Sequence, residues 1–144
     1  MNPSSRIVIA DNHPASSADF RASLETQPDF TIAAAVTCAS CSFTAVSRHK
    51  TDLVILKLAM PGHRILQLVK DLVVLHAGLK FLIVSSLDLE AERVLGAGAH
   101  GCVMASSSSA AKINAVRQVL AGNHCFTAHA NAGLHWQTSC PAMT

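Results

Sequence analysis

The sequence predicts an α/β fold in which a five-stranded parallel sheet is covered by helices on both faces. Short apolar runs that lack strict alternation predict strands buried on both faces, and apolar residues at helical spacing lie between these runs. Half of the 144 residues are hydrophobic and only 14% are charged, so much of the chain must be buried. Together these features predict a doubly wound sheet built from right-handed β-α-β units.

The first strand and helix are bounded by proline. Ile7–Ala10 is a short, β-branched run that stops at the polar cluster Asp11-Asn12-His13-Pro14. Phe20 and Leu24 then lie four residues apart among alanines, which predicts a helix from Pro14 to Gln27 that Pro28 ends.

The next two β-α units follow the same pattern. Thr31–Val36 predicts the second strand and Thr37–Arg48 a short helix of weak propensity. Leu53–Leu56 predicts the third strand. After a turn at Met60-Pro61-Gly62, apolar residues recur at helical spacing from Ile65 to Leu75.

The last two units complete the count of five strands. Phe81–Val84 predicts the fourth strand and Leu89–Ala97 a short helix. Cys102–Met104 predicts the fifth strand, because it follows two closely spaced glycines. The final helix is marked by Ile113, Val116, Val119 and Leu120.

The length and the charge of the chain limit which domain organisation and which partners we expect. We expect one domain over residues 1–127 and a C-terminal tail without an output domain over residues 128–144, where charge and periodicity are both lacking. A net charge of +2 without a basic block predicts no direct binding of nucleic acid. No uninterrupted apolar stretch of about 20 residues occurs, which predicts no membrane span.

Functional residues of an open parallel sheet lie just beyond the carboxyl ends of its strands. In this sequence those positions are Asp11, Lys57, Ser85 and Ala105. The segments that carry them, "RIVIADNHP", "TDLVILKLAMPG", "LKFLIVSS" and "GAGAHGCVMA", resemble the receiver domains of bacterial two-component response regulators, of the NarL/FixJ (LuxR-type) group. The resemblance covers about Arg6 to Thr127 and implies a flavodoxin-like (β/α)5 receiver fold and a cytoplasmic signalling role.

The resemblance also implies where phosphoryl chemistry would occur. In such receivers two acids after strand 1 hold Mg²⁺ and an aspartate at the end of strand 3 accepts the phosphoryl group. The first acidic position here is Asp11, its neighbour is Asn12, and the acceptor position is Lys57. The family hydroxyl corresponds to Ser85, unless this serine only caps a turn.

The remaining family positions lie on strand 5. The position of the family lysine is Ala105, and that of the switch aromatic is Cys102. Lysine has no carboxylate to form an acyl phosphate, and its ammonium repels a divalent cation. We therefore expect no phosphorylation and no Mg²⁺ or other cofactor. Lys57 either pairs with Asp11 and fixes the switch in one arrangement, or extends to solvent.

Two cysteines provide a second hypothesis. Cys38-Ala39-Ser40-Cys41 is a C-x-x-C motif at a strand-to-helix junction, where backbone amides lower thiol pKa values, so a thiol redox module is an alternative. Five cysteines are an odd number, which predicts free thiols in a reducing compartment. Zinc would need further ligands, and His49, His100 and Cys102 are candidates by residue type alone.

These features predict an atypical, phosphorylation-independent receiver that is not an enzyme and that acts in signal transduction or transcription regulation through a protein partner or a homodimer. A receiver fragment of a DNA-binding LuxR-type regulator is a further alternative. Alanines on the first and last predicted helices would form the dimer interface: Ala15, Ala18, Ala22, Ala110, Ala111, Ala115 and Ala121.

Overall fold

The fold is a single parallel sheet with helices on both of its faces. A computed structural model describes residues 4–13, 18–57, 62–85 and 91–126. The strands are β1 (Ser5–Asp11), β2 (Phe30–Val36), β3 (Leu53–Lys57), β4 (Lys80–Ser85), β5 (Gly101–Met104) and β6 (Cys125–Phe126). The helices are α1 (Ala18–Glu25), α2 (Ala39–Arg48), α3 (Gly62–Leu75), α4 (Ala91–Ala97) and α5 (Ser109–Leu120).

The strand order places the sequence-predicted site at the point where the winding reverses. The order is β2-β1-β3-β4-β5-β6, and every neighbouring pair is parallel. The chain moves outward from β1 to β2 and then crosses to β3 on the other side of β1, which makes the β1–β3 boundary the topological switch point. Asp11 and Lys57 are register partners across this boundary.

Alternation of side chains along the strands divides the core into two clusters. Val8, Val54 and Phe81 point toward α2, α3 and α4, whereas Ile7 and Ile55 point toward α1 and α5. Each central strand thus buries both faces, which is why its sequence is a continuous apolar run. The two clusters account for most of the fully buried side chains of the described residues.

The sequence prediction of an α/β parallel sheet is confirmed, and its count of five strands is wrong by one. Cys125 and Phe126 pair with Gly101 and Cys102 as a sixth strand. Two residues are too few to produce a periodic pattern, and only their position beside β5 makes them a strand. The predicted starts of two helices, at Pro14 and Leu89, and the predicted tail over residues 128–144 lie outside the described residues.

Local capping explains where two helices begin. Ser108 precedes α5, and its hydroxyl oxygen accepts a hydrogen bond from the Ala111 amide at 3.1 Å. This cap starts α5 at Ser109, upstream of the first apolar residue of the predicted helix. Cys38 has the same position before α2, with its sulfur accepting from the Cys41 amide. No helix within the described ranges is long and apolar enough to span a bilayer.

Candidate functional site at the carboxyl end of the sheet

An ammonium and a carboxylate occupy the ends of the two central strands β1 and β3. Lys57 Nζ lies 3.9 Å from Asp11 Oδ1, and the two side chains are 18% and 7% exposed. Asp11 Oδ1 also accepts a hydrogen bond from the His13 amide at 2.8 Å. The carboxylate therefore has both a backbone donor and a cation beside it in this buried position.

The other strand-end positions lie at the same edge of the sheet. Ser85 is buried at the end of β4, and its carbonyl accepts a hydrogen bond from the Ala105 amide at 2.8 Å. Ala105 follows β5 and packs against the core on the α1 and α5 side. Asn12 is exposed directly after β1. The strand-end positions Asp11, Lys57 and Ser85 thus present a carboxylate, an ammonium and a hydroxyl at this edge.

These residues do not fit a magnesium ion. Mg²⁺ needs oxygen ligands in octahedral geometry, usually with one or two carboxylates. Here Asp11 supplies one carboxylate, and the Lys57 ammonium lies where it opposes a second positive charge. Among the described residues no group of three or more His, Cys, Asp or Glu side chains converges as metal ligands.

A second lysine, which the sequence analysis did not identify, approaches this edge from α5. Lys112 is only 7% exposed, and its Nζ lies 5.3 Å from the centroid of the Phe20 ring. Burial lowers the pKa of Lys112, and the positive charge of Lys57 lowers it further. The sequence contains a signal for this burial, because Lys112 is at helical spacing from the buried residues Val116 and Val119.

The cysteines differ from the expectation of free thiols. Cys38 and Cys41 form a disulfide, with their Cα atoms 5.2 Å apart, and Cys125 is also disulfide-bonded. The expectation of free thiols is therefore wrong for these three residues. Cys38 caps α2 and Cys41 lies in its first turn, so the two residues are close enough to form a bridge. Cys102, at the switch position, is a buried thiol on β5.

The histidines considered for zinc lie away from the strand-end site. His49 follows α2 and lines an open groove at the amino-terminal edge of the sheet. His100 precedes β5, and its Nδ1 accepts a hydrogen bond from the Phe81 amide at 3.3 Å. Burial lowers the pKa of His100, and neighbouring His124 and Lys80 lower it further. This ring is therefore a structural acceptor in its neutral form.

Response regulators are among the solved structures that are similar to this chain. A LuxR-family two-component response regulator from Aurantimonas sp. SI85-9A1 is 24% identical, with a TM-score of 0.77 over 86% of this chain and 89% of that one. The receiver domain of a response regulator NarL from Mycobacterium tuberculosis is 20% identical, with a TM-score of 0.76 over 85% of this chain and 100% of that one. At these identities the similarity concerns the fold.

A longer relative extends beyond the region of similarity. RcsB from Salmonella typhimurium, solved in a study of conformational dynamism for DNA interaction, is 18% identical with a TM-score of 0.76. The alignment covers 88% of this chain and 63% of RcsB, so this chain spans less than two thirds of that relative. No curated protein matches the sequence.

The sequence itself carries the family pattern. The family model of the response regulator receiver domain matches residues 7–117, which is most of the chain. This span runs from within β1 to within α5 and includes every strand-end position described above. The strand order, the position of the site at the switch point and this match lead to one conclusion: the chain belongs to the response regulator receiver domain family.

Proposed function

We propose that this receiver domain signals without phosphoryl transfer, in a cytoplasmic two-component or transcription-regulatory pathway, through contacts with a protein partner or a second copy of itself. The family membership supports the signalling role. The position of Lys57 beside Asp11 supports independence from phosphorylation, and it is the observation that carries the proposal.

Three features of the site oppose phosphoryl transfer together. An acyl phosphate requires a carboxylate acceptor, and position 57 provides an amine. The ammonium of Lys57 lies 3.9 Å from Asp11 Oδ1, where it would repel a divalent metal ion. Ala105 follows β5 with a methyl group, so it supplies no cation to pair with a new phosphate charge.

Incubation with acetyl phosphate and Mg²⁺ followed by intact-mass measurement tests this proposal. We expect the parent chain to gain no phosphoryl mass. A phosphorylatable receiver in the same reaction is the positive control. The triple variant Asn12→Asp, Lys57→Asp, Ala105→Lys restores the family residues, and we expect it to gain one phosphoryl group that is lost on alkaline hydrolysis. A phosphoryl group on the parent chain would refute the proposal.

A second candidate function is thiol–disulfide exchange at Cys38 and Cys41. The observation that favours it is their pairing at the start of α2, where the Cys41 amide donates to Cys38 Sγ at 3.1 Å. Such a donor stabilises a thiolate. In the exchange, a dithiol of the thioredoxin class attacks the Cys38–Cys41 bond, transfers two electrons and two protons, and leaves as its own disulfide.

Differential alkylation measures this activity. The protein is treated with reduced thioredoxin, blocked with iodoacetamide and mapped by peptide mass. We expect Cys38 and Cys41 to be alkylated at substoichiometric thioredoxin when its reductase and NADPH recycle it. If NADPH consumption were the same with the Cys38→Ser variant as with the parent, this exchange activity would be ruled out. Buried Cys102 is an internal control for unfolding, since its alkylation would report loss of structure.

A DNA-binding partner or an additional DNA-binding domain is the third candidate, because the RcsB relative is longer than this chain and was studied for DNA interaction. In that case the receiver would control a DNA-binding module. The length of the natural reading frame tests a fused module. A frame that encodes a helix-turn-helix after this region would favour this candidate, and a frame without one would dismiss fusion.

A further inference from the structure

A small cavity lies beside the Lys57–Asp11 pair. It has a volume of about 130 Å³ and lies between α1 and the carboxyl-terminal parts of β1, β2 and β3. Ile9, Phe20 and Ile55 form its apolar wall, and all three are buried. Asp11 and Lys57 line the same cavity. It therefore joins an apolar chamber to a pair of opposite charges.

The size of the chamber limits what it can hold. An apolar cavity of roughly 150 Å³ lined by leucine, isoleucine and phenylalanine side chains stays dry and binds benzene. The cavity in this receiver has a similar volume and a similar lining. Its apolar part thus fits one six-membered ring or one short branched chain, and it is too small for a nucleotide or a peptide segment.

The charges around the cavity favour an anionic group on that ligand. Lys57 and Arg21 line it as cations, and Asp11 is the acid that lines it. Lys112 adds a positive charge from the other side, because its ammonium lies over the Phe20 ring. An ammonium and a guanidinium act only as hydrogen-bond donors, which suits a carboxylate that only accepts. Glu25 lies 4.0 Å from Arg21, so the described groups at the cavity comprise three cations and two acids. The surplus of one positive charge among these groups matches one carboxylate.

We propose that this cavity binds a small aromatic or branched aliphatic monocarboxylate. The apolar body lies between Phe20 and Ile55, and the carboxylate accepts hydrogen bonds from Lys57 and Arg21. This inference rests on the proposed function in that the ligand replaces phosphorylation as the input to the domain. Bound carboxylate would draw the Lys57 ammonium from Asp11 and press on α1 through Phe20.

Titration of the ¹⁵N-labelled full chain with benzoate tests the binding. We expect saturable shifts of the amides of Ile9, Thr37 and Lys57, which line the cavity or lie within its wall. Benzyl alcohol has the same ring without the charge, and we expect it to bind at least tenfold more weakly. Shifts that map elsewhere on the protein, or no saturable shift with benzoate, would overturn the proposal.

Two substitutions test whether benzoate binding depends on the charges of the site, and both are chosen to leave the fold intact. Lys57→Met keeps the length of the side chain without its charge, and we expect benzoate affinity to fall at least tenfold while benzyl alcohol affinity is unchanged. Arg21→Gln changes an exposed side chain, and we expect a severalfold loss without unfolding. The matched control is Lys70→Met on the exposed part of α3, which should bind benzoate like the parent. Equal affinity of the parent and both site variants would contradict the proposal.

The result is separable from the phosphorylation test. If acetyl phosphate does not phosphorylate the parent chain and the chain also does not bind benzoate, only the ligand proposal is overturned. A parent chain that gains a phosphoryl group overturns the proposed function, whatever the benzoate titration shows.

Discussion

Lys57 changes the electrostatics of a receiver site by occupying the end of β3 with a cation. Its ammonium and the Asp11 carboxylate are both largely shielded from solvent, so their attraction is screened less than that of an exposed pair. The 3.9 Å separation is longer than a hydrogen bond, which limits the strength of the pair. We therefore expect this pair to stabilise the folded state more than an exposed ion pair does and less than a fully buried one.

A double-mutant cycle measures this contribution. Lys57→Met and Asp11→Asn, alone and together, should give a coupling free energy of about 1 to 2 kcal/mol in urea unfolding. The exposed pair of Arg21 and Glu25, separated by 4.0 Å on α1, is the matched control. Its coupling should be about 0.5 kcal/mol or less. Equal coupling for the two pairs would show that burial does not strengthen the Lys57–Asp11 interaction.

Lys112 carries a charge into a buried position, and its stability effect should depend on pH. Its pKa in the folded chain is lowered by burial and by Lys57. The folded state thus releases this proton at a lower pH than the unfolded state, whose lysine pKa is about 10.4. Between these two pKa values the unfolded state binds more protons, so stability rises with pH.

The variant Lys112→Met tests this dependence. At pH 7 we expect its free energy of unfolding to exceed that of the parent by about 1 kcal/mol, because the buried charge is removed. The difference should shrink as the pH rises toward 10, because the folded parent loses this charge at a lower pH than the unfolded chain does. Denaturant unfolding of both proteins from pH 7 to 10 gives the two curves. A difference that stays constant or grows with pH would contradict the assignment.

The position of a side chain could be predicted from sequence where topology constrained it, and could not where burial by neighbouring elements did. Asp11 and Lys57 were placed near each other because parallel strands meet at one edge of the sheet, and the register makes them partners. The burial of Lys112 is not evident from sequence when helical periodicity is read from the apolar residues alone. A lysine within a buried stripe of a helix belongs to the same pattern, and its burial becomes evident only from the neighbours that cover it.

At the scale of elements, the connection from α4 to β5 depends on one glycine. Gly98 has φ +108°, and a Cβ atom at this position would lie 2.8 Å from Val73 Cγ2 on α3. The backbone conformation and the close approach of α3 both exclude a side chain. This glycine therefore fixes the distance between the α4–β5 turn and α3.

Two alanine substitutions, two residues apart, test that requirement. Gly98→Ala should lower the free energy of unfolding by about 2 to 3 kcal/mol, from backbone strain and displacement of Val73. Gly96→Ala is the control, because Gly96 lies on α4 with open space around it. It should raise stability by about 0.5 to 1 kcal/mol. Thermal unfolding of both variants gives the comparison, and similar effects at the two positions would rule out the contact with Val73.

Elements were predictable from sequence to the extent that they were long and periodic. The five longer strands were found from their apolar runs, whereas β6 has two residues and depends on its neighbour β5. The disulfide of Cys38 and Cys41 was not predicted, because a spacing of three residues fits both a thiol pair and a bridge. In the structure the two cysteines are bridged at the start of α2.

At the scale of the whole molecule, the proposed homodimer would use the outer face of α1 and α5, which pack beside each other. Ala18, Ala22 and Ala110 are exposed there, but Ala115 is buried in the core and so cannot contribute to an interface. We therefore limit the predicted dimer interface to the exposed alanines of α1 and α5.

Sedimentation velocity at increasing concentration tests this dimer. We expect the parent to dimerise in the micromolar range and Ala22→Glu to weaken the dimer at least tenfold, because a charge would be buried in the interface. Thr44→Glu on the exposed side of α2 is the control and should sediment like the parent. A parent chain that remains monomeric at high micromolar concentration would contradict the dimer.

The division of the core by the sheet constrains how the domain transmits a signal. The cavity beside Lys57 opens on the side of α1 and α5, whereas α2, α3 and α4 lie behind a wall of backbone. An event in the cavity reaches α1 directly through a side-chain contact. It reaches α3 or α4 only if β1 or β3 shifts as a unit, and such a shift is resisted by hydrogen bonds on both edges of each strand. If the cavity binds the proposed ligand, we therefore expect the resulting shift to be larger at α1 than at α3 or α4.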